Sequence, residues 1–191
     1  MCRPIPRLDQ GMKNRTELEL FRAAKDKFYR QDARAPLTPE QQRDFKGLSY
    51  FPKNNALVIK ARLDFNVQPG IVHMETTKGE QQDYRRSGVA HFDVDGKPAQ
   101  VTLYASDLSH NLFLPFRDAT SGKETYGGGR YLDLHTHGDE VLIDFNYAYN
   151  PNCAYNPDWN CPLPPTENWL EVPIRAGEMT FPDHSGSEAT L

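Results

Sequence analysis

Apolar and polar positions recur with two different periods along this chain, and the change falls near Pro52. Before it, Leu18, Leu20, Phe21, Ala24, the stem of Lys25 and Phe28 follow a helical period, which predicts a helix from Thr16 to Gln31. Thr16 or Asn14 is available as its N-cap, and Glu17 and Glu19 stand in the first turn, where the helix dipole favours acids. Ala35-Pro36 breaks this helix. Thr38-Pro39-Glu40 then reads as an N-cap with proline at the first helical position, opening a short helix that Gly47 closes. Phe45, Leu48, Tyr50 and Phe51 would dock residues 1–50, as a helical arm, onto the body of the protein.

After Pro52 the period becomes two. Ala56–Phe65, Ile71–Thr76, Tyr84–Val94, Ala99–Tyr104 and Val141–Phe145 are short runs rich in β-branched and aromatic residues, bounded by Asn-Asn, Pro-Gly, Lys-Gly and Asp-Gly. Val94-Asp95-Gly96-Lys97 predicts a tight hairpin, because Asp-Gly readily supplies the positive φ angles such a turn needs. Strands at this spacing without helices between them argue for a mainly β fold, an antiparallel barrel or sandwich with an N-terminal helical arm. Residues 51–178 form the β domain in this reading, and 179–191 a loosely ordered tail.

Length and charge narrow the classes. A chain of 191 residues can bury roughly 70% of its unfolded surface, enough for a core without staples. Its 22 basic and 26 acidic side chains leave a net charge of −4, so no global positive field holds a nucleic acid backbone. No apolar run approaches the roughly 20 residues that span a bilayer, and MCRPIPRLDQGMKN lacks the apolar stretch of a secretory signal. The expectation is a soluble, cytoplasmic protein with no nucleic acid or membrane partner.

The chemistry concentrates between Leu112 and Glu178. Arg117-Asp118, Thr120-Ser121-Gly122, Glu124-Thr125-Tyr126 and Gly127-Gly128-Gly129-Arg130 place two guanidinium groups, several hydroxyls and uncovered backbone N–H groups in one loop. That inventory can bind a carboxylate or phosphate. The alternative is purely structural, with Arg117-Asp118 and Arg130-Asp133 as ion pairs pinning a glycine-rich hairpin. Neither a P-loop nor a dinucleotide fingerprint is present, and the sequence leaves any cofactor unknown.

The runs FxPFxDxTSGxETYGGGRYLDL, DFNxAYNPxCAYNP and CPLPPxENxLxVPIxAGE, with Arg86 and Gly88 in YRRSGVAHF, resemble the signature of an uncharacterised prokaryotic family, domain of unknown function sixteen-eighty-four. The resemblance covers nearly the whole chain and brings no established activity. It implies a mainly β fold behind a helical arm.

Three further groups invite chemistry. Cys153 and Cys161 bracket a loop that a disulfide would stabilise by roughly 2.6 kcal/mol in the chain-entropy model; reduced buried thiols, a disulfide and part of a zinc site all remain open. Asp133, His135 and His137 are spaced i, i+2, i+4, which on one strand puts all three on one face near Glu140, in the manner of a metal site; a solvated hairpin tip is the competing reading. Asp144, Asn146 and Ala148 would likewise share one strand face, setting a carboxylate beside an amide.

The favoured function is a small-molecule-binding β protein whose pocket, lined by Arg86, Arg117, Tyr126, Arg130, Asp144 and Asn146, recognises an anionic or polar aromatic ligand. One alternative is a hydrolase-like enzyme using a carboxylate, or a metal held by Asp133, His135 and His137; the expectation is that no metal is bound. Another is a protein-interaction module presenting the Pro- and Trp-rich surface from Asn150 to Leu170.

Overall fold

The computed structural model describes residues 15–67, 70–105 and 111–182. Asn14, His110, His184 and positions 183–191 of the expected tail lie outside them. Helix α1 (Glu17–Gln31) opens on a capping box: the Thr16 hydroxyl accepts from the Glu19 N–H at 3.3 Å, and the Glu19 carboxylate accepts from the Thr16 N–H at 2.7 Å. Thr38 and Gln41 repeat the arrangement at helix α2 (Pro39–Asp44), with proline at its start. This helix ends at Phe45, before Gly47, because Phe45 turns extended and lays its ring against Tyr29. Gly47, at φ +129°, then lets the Leu48 N–H reach the Asp26 carboxylate at 3.0 Å.

The buried stripe of α1 differs from the one its apolar residues predict. Leu18 and Tyr29 are buried, whereas Leu20 and Phe21 are exposed. Between Leu18 and Tyr29 the stripe is continued by two cations: Arg22 lies over the Tyr50 ring, and Lys25 pairs with the buried carboxylate of Glu178. Their stems do the apolar work while their charged heads find partners inside.

Among the described residues eight antiparallel strands follow: β1 (Val58–Asp64), β2 (Ile71–Glu75), β3 (Gln81–Val94), β4 (Lys97–Ala105), β5 (Leu112–Phe116), β6 (Arg130–Leu134), β7 (Thr136–His137) and β8 (Glu140–Asp144). The sheet order is β6-β5-β4-β3-β1-β8-β7, with β2 also on β3. The long β3 pairs with β4 along one edge and shares its other edge between β2 and β1. A bulge between Arg86 and Gly88 bends it at the changeover. A Cβ on Gly88 would stand 3.2 Å from the Leu63 Cβ, so this position keeps β1 close. The β3–β4 turn has Asp95 at φ 51° and Gly96 at φ 77°, the positive pair that Asp-Gly predicts.

Tyr131 of β6 exchanges two backbone hydrogen bonds, of 2.8 and 3.0 Å, with Tyr149 just beyond β8, and the sheet curls into a nearly closed barrel. Its interior is filled. Leu103, Leu114, Phe116, Ile143, Phe145 and Ile174 are fully buried there, each worth roughly 1.5–3 kcal/mol of apolar burial. The interior is therefore a packed core.

The strands depart from the sequence pattern in two places. Strands β5 and β6 were not expected: β5 contains Pro115, which reads as a breaker, and β6 is buried at four of its five positions, so its alternation is hidden. Conversely, the expected strand through Asn146 stops at Asp144. The Asp144 carboxylate accepts from the Asn146 N–H at 2.9 Å and caps a 3-10 turn over Phe145–Tyr147, so Asp144, Asn146 and Ala148 do not share a strand face.

A backbone seam helps fasten the arm. The Phe51 N–H donates to the Gly177 carbonyl and the Met179 N–H to the Ser49 carbonyl, both at 2.9 Å. Between them Glu178 accepts from Lys25, from the Tyr155 hydroxyl and from the Asn150 N–H. Among the described residues no helix is long and apolar enough to cross a membrane.

Candidate functional site

Alternation along β3–β6 sends one set of side chains into the core and the other to the outer face. From β4, Val101 and Leu103 point inward and Thr102 and Tyr104 outward; from β5 and β6, Phe113 and Tyr131 point outward. These outer aromatics form a continuous row. Tyr84 stacks on Phe113 with centroids 5.3 Å apart, Phe113 meets Tyr131 edge-on at 4.8 Å, and Tyr131 meets Tyr149 at 5.8 Å.

The segment after Cys161 covers this face. Strands β4 and β5 pair at only two positions, and beyond them the Asn168 amide fills the gap. It accepts from the Thr102 N–H at 2.7 Å and donates to the Thr102 and Pro115 carbonyls, each at 2.8 Å. Pro115 has no N–H to lose and a carbonyl that Asn168 satisfies, which is how a proline is accommodated in β5. Flanking Asn168, Glu167 and Trp169 project toward the outer face.

Glu167 binds Arg86 through two hydrogen bonds, of 3.1 and 3.0 Å, and also accepts from the Tyr104 hydroxyl. Burial pushes the Glu167 carboxyl up, but Arg86 and Tyr104 outweigh it, and the net shift is below the usual glutamate value. Burial, reinforced by Glu167, pushes the Tyr104 phenol up. Arg117 is arranged differently. Its guanidinium lies over the Trp169 ring, 4.5 Å from the centroid, and the Trp169 indole N–H donates to the Pro164 carbonyl at 2.9 Å. Gly129, at φ +93°, makes room: a Cβ there would stand 2.6 Å from the Pro164 ring and 3.1 Å from the Arg117 stem.

Arg130 is an internal clamp. Its side chain is fully buried, pairs with Asp118 at 3.2 Å, and donates to the carbonyls of Ile174, Ala176 and Glu178. Burial lowers its affinity for the proton, with Asp118 acting in the opposite sense. Neither expected ion pair forms: Arg117 does not pair with Asp118, and Arg130 takes Asp118 rather than Asp133. Asp133 instead accepts from the Tyr149 hydroxyl at 2.7 Å. Tyr126 directs its hydroxyl to the Cys153 sulfur at 3.8 Å, and Asn146 exchanges hydrogen bonds with the Asn54 backbone and donates to the Asp144 carboxylate.

The six expected site residues thus occupy four settings. Arg86 faces Glu167, Arg117 faces Trp169, Tyr126 faces the thiols, and Arg130 and the Asp144–Asn146 pair hold backbone. Glu167 and Trp169 were missed as partners. Their signal was the PPTENW run itself, where an acid and an indole flank an asparagine between short proline-rich stretches.

Asp133, His135 and His137 do not share one strand, since β6 ends at Leu134 and His137 belongs to β7. His135 and His137 instead border a surface groove of about 410 Å3 with Lys60, Arg62, Glu140 and Leu142, and none of the six expected site residues lines it. Among the described residues, no group of three or more His, Cys, Asp or Glu is placed to hold a metal ion.

Residues 43–179, which contain the barrel, the aromatic face and both cysteines, match the family model described as "Protein of unknown function (DUF1684)". The chain belongs to the DUF1684 family. An uncharacterized protein of Haloarcula marismortui, whose solution NMR structure is known, is similar to it: the two are 39% identical, with 85% of this chain and 92% of that one covered and a TM-score of 0.66. No curated protein matches the chain. The DUF1684 match spans Arg86, Arg117, Tyr126, Arg130, Asp144 and Asn146 alike, and names no activity for any of them.

Proposed function

We propose that this barrel binds a small anionic, preferably aromatic, ligand on its outer face at Arg117 and Trp169. The supporting observation is a contrast among three arginines. Arg86 and Arg130 each have a carboxylate partner, whereas Arg117 has none among the described residues and stacks on an indole that is 46% exposed. A guanidinium held flat on an aromatic ring keeps its N–H edge free for a carboxylate or phosphate, and the exposed indole offers a surface for the ligand's apolar part. The filled core favours an outer site over the barrel interior. Arg130 serves this site by holding Asp118, the neighbour of Arg117, in place.

Only two tryptophans are present, so Trp159→Phe makes Trp169 the sole indole reporter. Titration of that protein with benzoate, phenyl phosphate and inorganic phosphate should change its fluorescence saturably. Arg117→Met should abolish the change and Arg86→Met should preserve it. No saturable change with any of the three, in a protein that remains folded, would sink the reading.

A further inference from the structure

The loop from Cys153 to Cys161 brings two thiols together without joining them: both are free and buried. The Cys161 sulfur accepts the backbone N–H of Cys153 at 3.3 Å, and the Cys153 sulfur accepts the Tyr126 hydroxyl at 3.8 Å. Cys161 is fixed in place. Its N–H donates to the Thr77 hydroxyl at 3.1 Å, and its carbonyl accepts the Thr77 N–H at 2.9 Å, beside the end of β2. The loop between the thiols ends in an exposed tip, Pro157 to Trp159.

The two sulfurs are not equivalent. The Cys153 thiol donates toward Cys161 and, with the backbone N–H groups of Cys153 and Asn152, brings the Cys161 thiol down to about 7 against the opposing effect of burial. The same contact, with burial, pushes the Cys153 thiol up. A thiolate is the nucleophilic form of cysteine, and the Cys161 sulfur, which accepts a backbone N–H at 3.3 Å where the Cys153 sulfur accepts a phenol at 3.8 Å, is the better placed of the two to carry that charge.

We propose that Cys161 and Cys153 form a dithiol that hydroperoxides oxidise to an intramolecular disulfide. The Cys161 thiolate attacks one peroxide oxygen, forming an S–O bond as the O–O bond breaks; the departing oxyanion takes up the proton that Cys161 released. Cys153 then attacks the sulfenic sulfur, an S–S bond forms, and the S–O bond breaks, with the hydroxide leaving as water on the proton of Cys153. The dithiol loses two electrons in all, and one hydroperoxide is reduced to an alcohol, or to water when the oxidant is hydrogen peroxide.

The third cysteine, Cys2, is first replaced in a Cys2→Ser protein so that the pair is read alone. After hydrogen peroxide treatment, denaturation and alkylation without reductant, both thiols should be protected and peptide mass mapping should find Cys153 joined to Cys161. Dithiothreitol should restore both. In Cys153→Ala, a 1,3-dione probe should trap a sulfenic acid on Cys161; in Cys161→Ala, labelling of Cys153 should be slower by about tenfold or more. Two thiols that stay alkylatable after peroxide, while Cys2 in the parent protein is consumed, would overturn the proposal. So would sulfinic acid on Cys161 with no cross-linked peptide. The peptide map of the Cys2→Ser protein decides even if an alanine variant fails to fold.

Discussion

Arg130 and Asp118 form an ion pair 3.2 Å long in which neither side chain has any exposed surface. Each charge has further partners, although the Arg130 Nε itself has none. Asp118 accepts from the Ile174 N–H at 2.7 Å and from the Thr120 hydroxyl at 2.8 Å, while Arg130 reaches three carbonyls of the segment after β8. Arg130→Met removes one charge and strands the other, so a loss of about 3–5 kcal/mol is expected. For a chain of this size that corresponds to a melting temperature lower by on the order of 10 °C. Arg117→Met, on the outer face, should change stability by less than about 1 kcal/mol. Parallel thermal melts check both.

The depressed carboxyl of Glu167 sets a pH dependence. The folded protein binds this proton less readily than the unfolded chain, so the stabilisation is complete above the ordinary glutamate range and is lost as pH falls through the lowered folded value. Denaturant melts from about pH 7 down to about pH 3 should show a stability decline that is shallower in Glu167→Gln. An unchanged acid limb in that variant would remove Glu167 from the account.

Two glycines with similar backbone angles should respond differently to alanine. Gly79 has φ +75° and open space around it, so Gly79→Ala meets only the left-handed strain of about 1–2 kcal/mol. Gly177 has φ +76°, but a Cβ there would lie 2.6 Å from the Ala148 carbonyl and 2.8 Å from the Phe145 carbonyl. Overlap adds to strain, and Gly177→Ala should cost about 2–5 kcal/mol. Urea midpoints at equal m-value separate the two.

The arm can be loosened without touching the barrel. Tyr29 packs against Phe45 and Tyr155, so Tyr29→Ala should lower stability by about 3–5 kcal/mol. The first tryptic cuts should then fall at Arg22, Lys25 or Lys27 within α1. Cuts that begin in the barrel strands would contradict this division.

The legible parts of the fold were those governed by local rules. Thr16, Thr38 and Asp95-Gly96 act through their immediate neighbours, and each occupies the cap or turn its chemistry predicts. The hidden parts depend on distant contacts. Pro115 sits in a strand because Asn168 supplies a carbonyl's partner from far along the chain, and β6 shows no alternation because both of its faces are covered. For the candidate site, the residues themselves were visible in the sequence, but not their pairing. Asp118 precedes Arg130 by 12 positions and follows Arg117 by one, and only the barrel geometry decides which guanidinium it meets. Glu167, 81 positions after Arg86, had no local signal tying the two together.

The seam at Glu178 also orders events in time. Helix α1 is synthesised early, yet Lys25 finds its carboxylate only when Glu178, 153 positions later, has left the ribosome and been folded in beside Tyr155 and Asn150. Until then the arm has a capped first turn, and contacts such as Tyr29 on Tyr155, but not its buried ion pair. Closing so long a loop is slow compared with forming a helix. A segment made before its partner is therefore among the last to settle, and until Glu178 arrives its Leu18–Tyr29 stripe is open to whatever else in the cell binds an amphipathic helix.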